Sequence, residues 1–135
     1  NGLDNYHREL VEACERTGTE VLLVCPEVFG GLPTPRKPSE IVNGEVRTCE
    51  GISVDREYRL GAQRALDMCE QAGGPSEIAA CVLQDRSPSC GAGRVYDGTF
   101  SGTLTAGNGV FVDLLLRHGY RVIPASEFDP SMLEQ

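Results

Sequence analysis

VDREYRLGAQRALDMCEQAGGPSEIAACVL, residues Val54 to Leu83, decides the fold. Val54, Tyr58, Ala62, Ala65, Leu66 and Cys69 fall on one stripe of a helix of about five turns, because side chains three and four positions apart share a helical face. Gly73-Gly74-Pro75 ends it, since glycine takes the conformation that closes a helix and proline lacks the N–H to continue one. Ile78 to Leu83 then reads as a strand covered on both faces.

The same alternation flanks this segment. Leu3, Tyr6, Leu10, Val11 and Cys14 recur at helical spacing to about Thr17, Gly18 supplies a stop, and Val21-Leu22-Leu23-Val24 is a second buried strand ending at Cys25-Pro26. Beyond, Val110, Leu114 and Leu115 begin a last helix after Asn108, which can cap it, and Gly119 ends it before a strand from Arg121 to Pro124. Helix, strand, helix, strand, helix, strand predicts one α/β domain over residues 1–135, a small three-layer unit with a parallel sheet and helices on both faces. A pattern that opens on a helix lacks the strand that would precede it, which in a doubly wound sheet is central. The expectation is a domain N-terminally short of that strand, with exposed sheet edges that favour self-association.

The connecting segments differ in character. Residues 26–40 hold Pro26, Pro33, Pro35, Pro38 and Gly30-Gly31, a composition that opposes helix and ladder alike. Ile41-Val42, Asn43-Gly44 and Glu45-Val46-Arg47 form a small hairpin on a type I′ turn, expected at the periphery. Residues 84–106 show no convincing periodicity, and a stretch of that length is more often functional than idle.

A chain of 135 residues, 40% hydrophobic and 24% charged, suits one globular domain. Its formal charge of −8 repels a DNA or RNA duplex and an anionic membrane. No apolar run approaches the roughly 20 residues that cross a bilayer, and no basic-then-apolar leader precedes the first element, so the expectation is a cytoplasmic protein with no membrane partner.

The six cysteines sort by position. Cys14 and Cys69 lie on apolar stripes and Cys81 inside a strand, where each acts as a small hydrophobe. Cys49 follows the hairpin with no partner at ligand spacing. A disulfide framework is not expected, since cytosolic thiols stay reduced. Cys25 and Cys90 each come after a strand, at the carboxyl edge where open α/β sheets bind ligands. Flanked by Pro26, Pro88 and Gly91, they suit thiolates facing a metal centre or a substrate; they also fit two incidental loop cysteines, or a redox pair. His7 and His118 lie in helices without zinc-site spacing. Gly91-Ala92-Gly93 lacks a third glycine at Tyr96, and no Gly-Lys-Ser/Thr occurs, so dinucleotide and P-loop sites are excluded.

Four segments together resemble the thiouracil desulfidase family, long catalogued as a domain of unknown function: Val24-Cys25-Pro26-Glu27, Gly30-Gly31-Leu32-Pro33-Thr34-Pro35-Arg36, Arg86-Ser87-Pro88-Ser89-Cys90-Gly91 and Tyr96-Asp97-Gly98-Thr99-Phe100-Ser101-Gly102. The resemblance runs from Asn1 to about Glu127. It implies a [4Fe-4S] cluster held by three cysteines with one iron open to the sulfur of a small thiolated base. Two ligands match Cys25 and Cys90. The third belongs to an upstream strand ending in Ala-Cys-Leu-Leu-Gly, so the chain as it stands is expected to bind no intact cluster and to be inactive. Gln84 stands where the family commonly has lysine.

Thiolates suit Fe–S clusters, and three-cysteine ligation leaves a Lewis-acidic position. On that resemblance the expected activity is desulfuration of a thiouracil-like pyrimidine with release of sulfide. Glu27 and Ser87 are the candidates for proton transfer, or else a solvated carboxylate and a turn hydroxyl. Gly30, Gly31, Arg36, Ser89, Asp97 and Ser101 are the candidates for substrate contact, with an Arg36–Asp97 ion pair as the structural reading of those two. Gly91, Gly93, Gly98, Gly102, Gly107 and Gly109 either admit backbone N–H groups to the site or supply turns. A binding or sulfur-transfer module, holding a cluster or zinc without hydrolysis, is the competing function.

Overall fold

Helix α1 spans Asp55–Gln71 and buries the expected stripe: Tyr58, Ala62, Ala65, Leu66 and Cys69, with Gly61 beside them. Asp55 and Glu57 in its first turn complement the helix dipole. Gly73, at φ 117, leaves the helix in the left-handed region and starts a short 3-10 turn, Gly74–Ser76. The computed structural model describes residues 12, 14–16, 30–32, 37–83, 88–124, 127 and 129. The strand expected at Val21–Val24, most of the first helix and most of the proline-rich loop lie outside them.

Strand β3, Cys81–Leu83, is shorter than the Ile78–Leu83 run. The Ile78 amide is spent on closing the preceding turn, donating to the Gly74 carbonyl at 3.0 Å. Helix α2, Val110–Arg117, ends at Gly119 with φ 86 and returns the chain to β6, Val122–Pro124. β6 pairs with β3 in parallel, Cys81 opposite Val122 and Leu83 opposite Pro124, as the α/β reading requires.

The main core lies between α1, α2 and this parallel pair. Ala62, Ala65, Leu66 and Cys69 meet Leu83, Phe111, Val112, Leu115 and Tyr120. Alanines 0% exposed on α1 let the bulky Phe111 and Leu115 of α2 seat closely. Each fully buried side chain of that size contributes about 1.5–3 kcal/mol.

The hairpin expected at the periphery is instead part of the packed structure. Strands β1, Ser39–Val42, and β2, Glu45–Thr48, join through Asn43 and Gly44 at φ 53 and 81, the type I′ turn. Alternation along β2 turns Val46 inward, where it is 0% exposed against Val54 and Tyr58. The Val54 amide donates to the Val46 carbonyl at 2.9 Å, and the Val46 amide donates to Asp55 Oδ1 at 3.0 Å. Helix and hairpin thus share Asp55 as a joint.

A second hairpin occupies the stretch that shows no periodicity. Strands β4, Arg94–Tyr96, and β5, Leu104–Ala106, pair antiparallel with Val95 opposite Thr105. Three-residue strands, of which Val95 alone is fully buried, leave too little alternation to read. No described helix is long and apolar enough to cross a membrane.

Candidate functional site

Pro88, Ser89 and Gly91 are buried, and Cys90 between them is half-exposed. What fixes this segment is the start of α2. Its first three amides are all taken by backbone carbonyls: Val110 donates to Pro88 at 2.7 Å, and Phe111 and Val112 donate to Ser89 at 3.0 and 3.3 Å. One residue earlier, the Gly109 amide donates to the Gly91 carbonyl at 2.7 Å. Cys90 therefore sits on a backbone clamp that satisfies the helix N-terminus without a side-chain cap.

This overturns the expected role of Asn108. The residue before α2 is Gly109, no side chain caps the helix, and Asn108 Oδ1 instead accepts from the Gly93 amide at 2.7 Å. Carbonyls from a distant segment outcompeted the local side chain. Gly109 has no room for anything larger: a Cβ there would lie 2.4 Å from the Ser89 carbonyl carbon and oxygen. Its value is close approach of two backbones, which gives the run of glycines a third use beyond turns and open amides.

Ser89 is 0% exposed, and its hydroxyl lies 3.7 Å from Cys90 Sγ, which donates to it as a thiol. Were the sulfur a thiolate, the same hydroxyl could turn its proton toward it and favour the anion. Cys90 also packs against the main core, which anchors the partly buried residue. A soft, oriented, half-exposed sulfur with a hydroxyl beside it fits one ligand position of an iron–sulfur cluster. Among the described residues no group of three or more His, Cys, Asp and Glu side chains could hold a metal ion. Cys25, Glu27, Arg36 and Ser87 lie outside the described residues.

The other expected site residues are placed as follows. Gly30 is buried against α1; a Cβ on it would meet the Glu57 carbonyl oxygen at 1.9 Å, so it lets the loop lie flush on the helix. Gly31 is exposed with φ 89. Asp97 and Ser101 stand at the turn end of the β4–β5 hairpin. There Asp97 Oδ1 accepts from the Thr99 amide and hydroxyl at 3.0 and 2.6 Å, which holds its carboxyl below the usual range. Ser101 continues the chain, bonded to the hydroxyls of Thr99 at 2.6 Å and Thr103 at 2.9 Å. The structure thus brings Ser89 to Cys90, and links Asp97 and Ser101 to one another through Thr99.

Glu40 went unremarked in the sequence. Its carboxylate, on a residue 8% exposed, accepts from the Gly98 and Phe100 amides at 2.9 and 3.2 Å and ties the hairpin tip to β1. An acidic residue directly before the apolar pair Ile41-Val42 was the available signal.

The profile of a family described as 2-thiouracil desulfurase matches residues 1–127. The chain belongs to the 2-thiouracil desulfurase family. Within the reach of that family, it is 37% identical to uncharacterized protein YbbK of Bacillus subtilis strain 168 over 120 residues, covering 82% of this chain and 77% of that one. It also resembles a solved structure, the [4Fe-4S]-dependent thiouracil desulfidase TudS (DUF523Vcz), at a TM-score of 0.81 and 39% identity over 98% of this chain and 82% of that one. The desulfurase resemblance read from the four sequence segments is the family the profile shows, and the α/β class agrees with the solved relative.

Proposed function

We propose that this chain carries out [4Fe-4S]-dependent desulfuration of a thiolated pyrimidine, replacing the thiocarbonyl sulfur of a thiouracil-like base with oxygen from water and releasing sulfide. The observation that carries the reading is the clamped, half-exposed Cys90 in a member of the 2-thiouracil desulfurase family. Kinship with a [4Fe-4S]-dependent desulfidase supports it.

Cys25 and Cys90 would supply two of the thiolates that hold the cluster. When bound, the cluster supplies an open, Lewis-acidic iron for the substrate sulfur. The chain's own residues do the rest. Ser89 steadies the Cys90 thiolate. Glu27 takes the proton of the attacking water, and Ser87 delivers one toward the departing sulfur. Gly31 and Arg36 contact the base, while Gly30 itself packs against α1. Asp97 and Ser101 order the hairpin tip that Glu40 anchors.

The test is anaerobic preparation of the full protein, beside Glu27→Gln and Ser87→Ala. All three should show the visible Fe–S absorption. The two variants should release sulfide from 2-thiouracil at least about 10²-fold more slowly, the usual size of a general acid–base contribution. Undiminished turnover by both variants, or a colourless folded parent, would overturn the assignment.

A further inference from the structure

Cys69 and Cys81 are two of the four cysteines that desulfuration does not use. Cys69, in the last turn of α1, is 5% exposed within the main core, and Cys81, the first residue of β3, packs against the same cluster half-buried. Their thiols are hydrogen-bonded to one another. Cys81 is held from its other side, its amide donating to the Arg121 carbonyl at 2.8 Å and its register fixed opposite Val122. Cys81 cannot move away from the core without breaking the parallel ladder.

The groups around the pair are not inert. The Tyr120 hydroxyl is buried beside both sulfurs and, among the described residues, has the Glu70 carboxylate near it but no partner at full hydrogen-bond geometry. Such an orphan donor costs stability unless something uses it. The Glu70 carboxylate stands close to Cys69 and Tyr120, and His118 Nδ1 lies 3.8 Å from Glu70 Oε1.

The geometry points to a redox-active dithiol: Cys69 and Cys81 close to an intramolecular disulfide on exposure to a peroxide, tying the end of α1 to β3. Hydrogen peroxide is small enough to reach a sulfur with little exposure. The Cys69 sulfur attacks one peroxide oxygen, the O–O bond breaks, hydroxide leaves, and Cys69 becomes a sulfenic acid. The Cys81 sulfur then attacks the Cys69 sulfur, the S–O bond breaks, and water leaves with the Cys81 proton. Two thiols and one peroxide give one disulfide and two waters. The hydrogen bond from Cys81 favours the Cys69 thiolate, against the opposing effect of burial. The unpartnered Tyr120 hydroxyl can donate to the new sulfenate oxygen.

The experiment treats the full chain with stoichiometric hydrogen peroxide, alkylates remaining thiols in denaturant and maps the peptides. The expected result is a Cys69–Cys81 cross-linked peptide, loss of alkylation at both positions, recovery of both with dithiothreitol, and a raised Tm in the oxidised form. In Cys81→Ala the same treatment should leave a Cys69 sulfenic acid that dimedone traps. If that variant does not fold, the parent's peptide map decides alone. Full alkylation at Cys69 and Cys81 while other cysteines oxidise, or pairing of either with a different cysteine, would overturn it.

Discussion

A buried hydroxyl without a partner should be dispensable to stability, and Tyr120 carries one on a residue 4% exposed. Burial, helped by the Glu70 charge, pushes its pKa up to about 12, so it stays protonated at any ordinary pH. Tyr120→Phe keeps the ring in the core and deletes the unsatisfied oxygen; urea denaturation should show a gain of about 1 kcal/mol. A loss of that size would mean that the hydroxyl is bonded in solution. At the hairpin tip the sign of the pH effect is set by Asp97. Its pKa is lowered by the Thr99 hydroxyl and amide, so whatever stability it adds is present above the ordinary carboxylate range and lost as pH falls through the lowered value. In Thr99→Ala, NMR titration should find the Asp97 pKa moved upward; an unchanged value would remove Thr99 as the cause.

Between elements, the contacts that matter are made by backbone. The start of α2 and the Ser89–Cys90 segment hold one another through carbonyls and amides that no side-chain pattern announces. Gly109→Ala tests that clamp, since its Cβ would meet backbone atoms of Ser89 and Pro88 that have nowhere to go. The variant should lose about 2–3 kcal/mol of stability in urea and retain less cluster after anaerobic preparation. Parent-like stability would show the clamp to be looser than described. Glu40→Ala leaves the Gly98 and Phe100 amides without their acceptor and should cost about 1–3 kcal/mol, with Glu40→Gln milder because it keeps an oxygen in place. Equal losses from both would make the charge, not the acceptor, the essential part.

These joints also mark where the sequence stopped being legible. Helix α1 was plain because its buried stripe repeats over four turns and glycines close it. The Asn-Gly turn was plain because few residue pairs adopt positive φ twice. The β4–β5 hairpin was not, since its strands are three residues each and are registered by Gly91, Gly93, Gly107 and Gly109 rather than by an apolar face. Asn108 was misread for a related reason: local chemistry proposes a cap, and a distant carbonyl can take its place. At the site, Cys90 stood out by its proline, serine and glycine neighbours, whereas the anchoring of the tip by Glu40 spans 58 residues and leaves no local trace.

For the molecule as a whole, the account joins three scales of support around Cys90. A core shared by α1, α2 and the β3–β6 pair carries α2; α2 holds the Ser89–Cys90 segment by its N-terminal amides; and that segment presents a sulfur half-open to its surroundings. Desulfuration depends on that sulfur being a cluster ligand. The most direct measurement is anaerobic reconstitution with iron and sulfide of the full protein and of its Cys90→Ser variant, followed by visible absorption and sulfide release from 2-thiouracil. The account predicts a brown, active parent and a Cys90→Ser protein of unchanged circular dichroism that has lost both colour and turnover. A Cys90→Ser variant as brown and as active as its parent would contradict it.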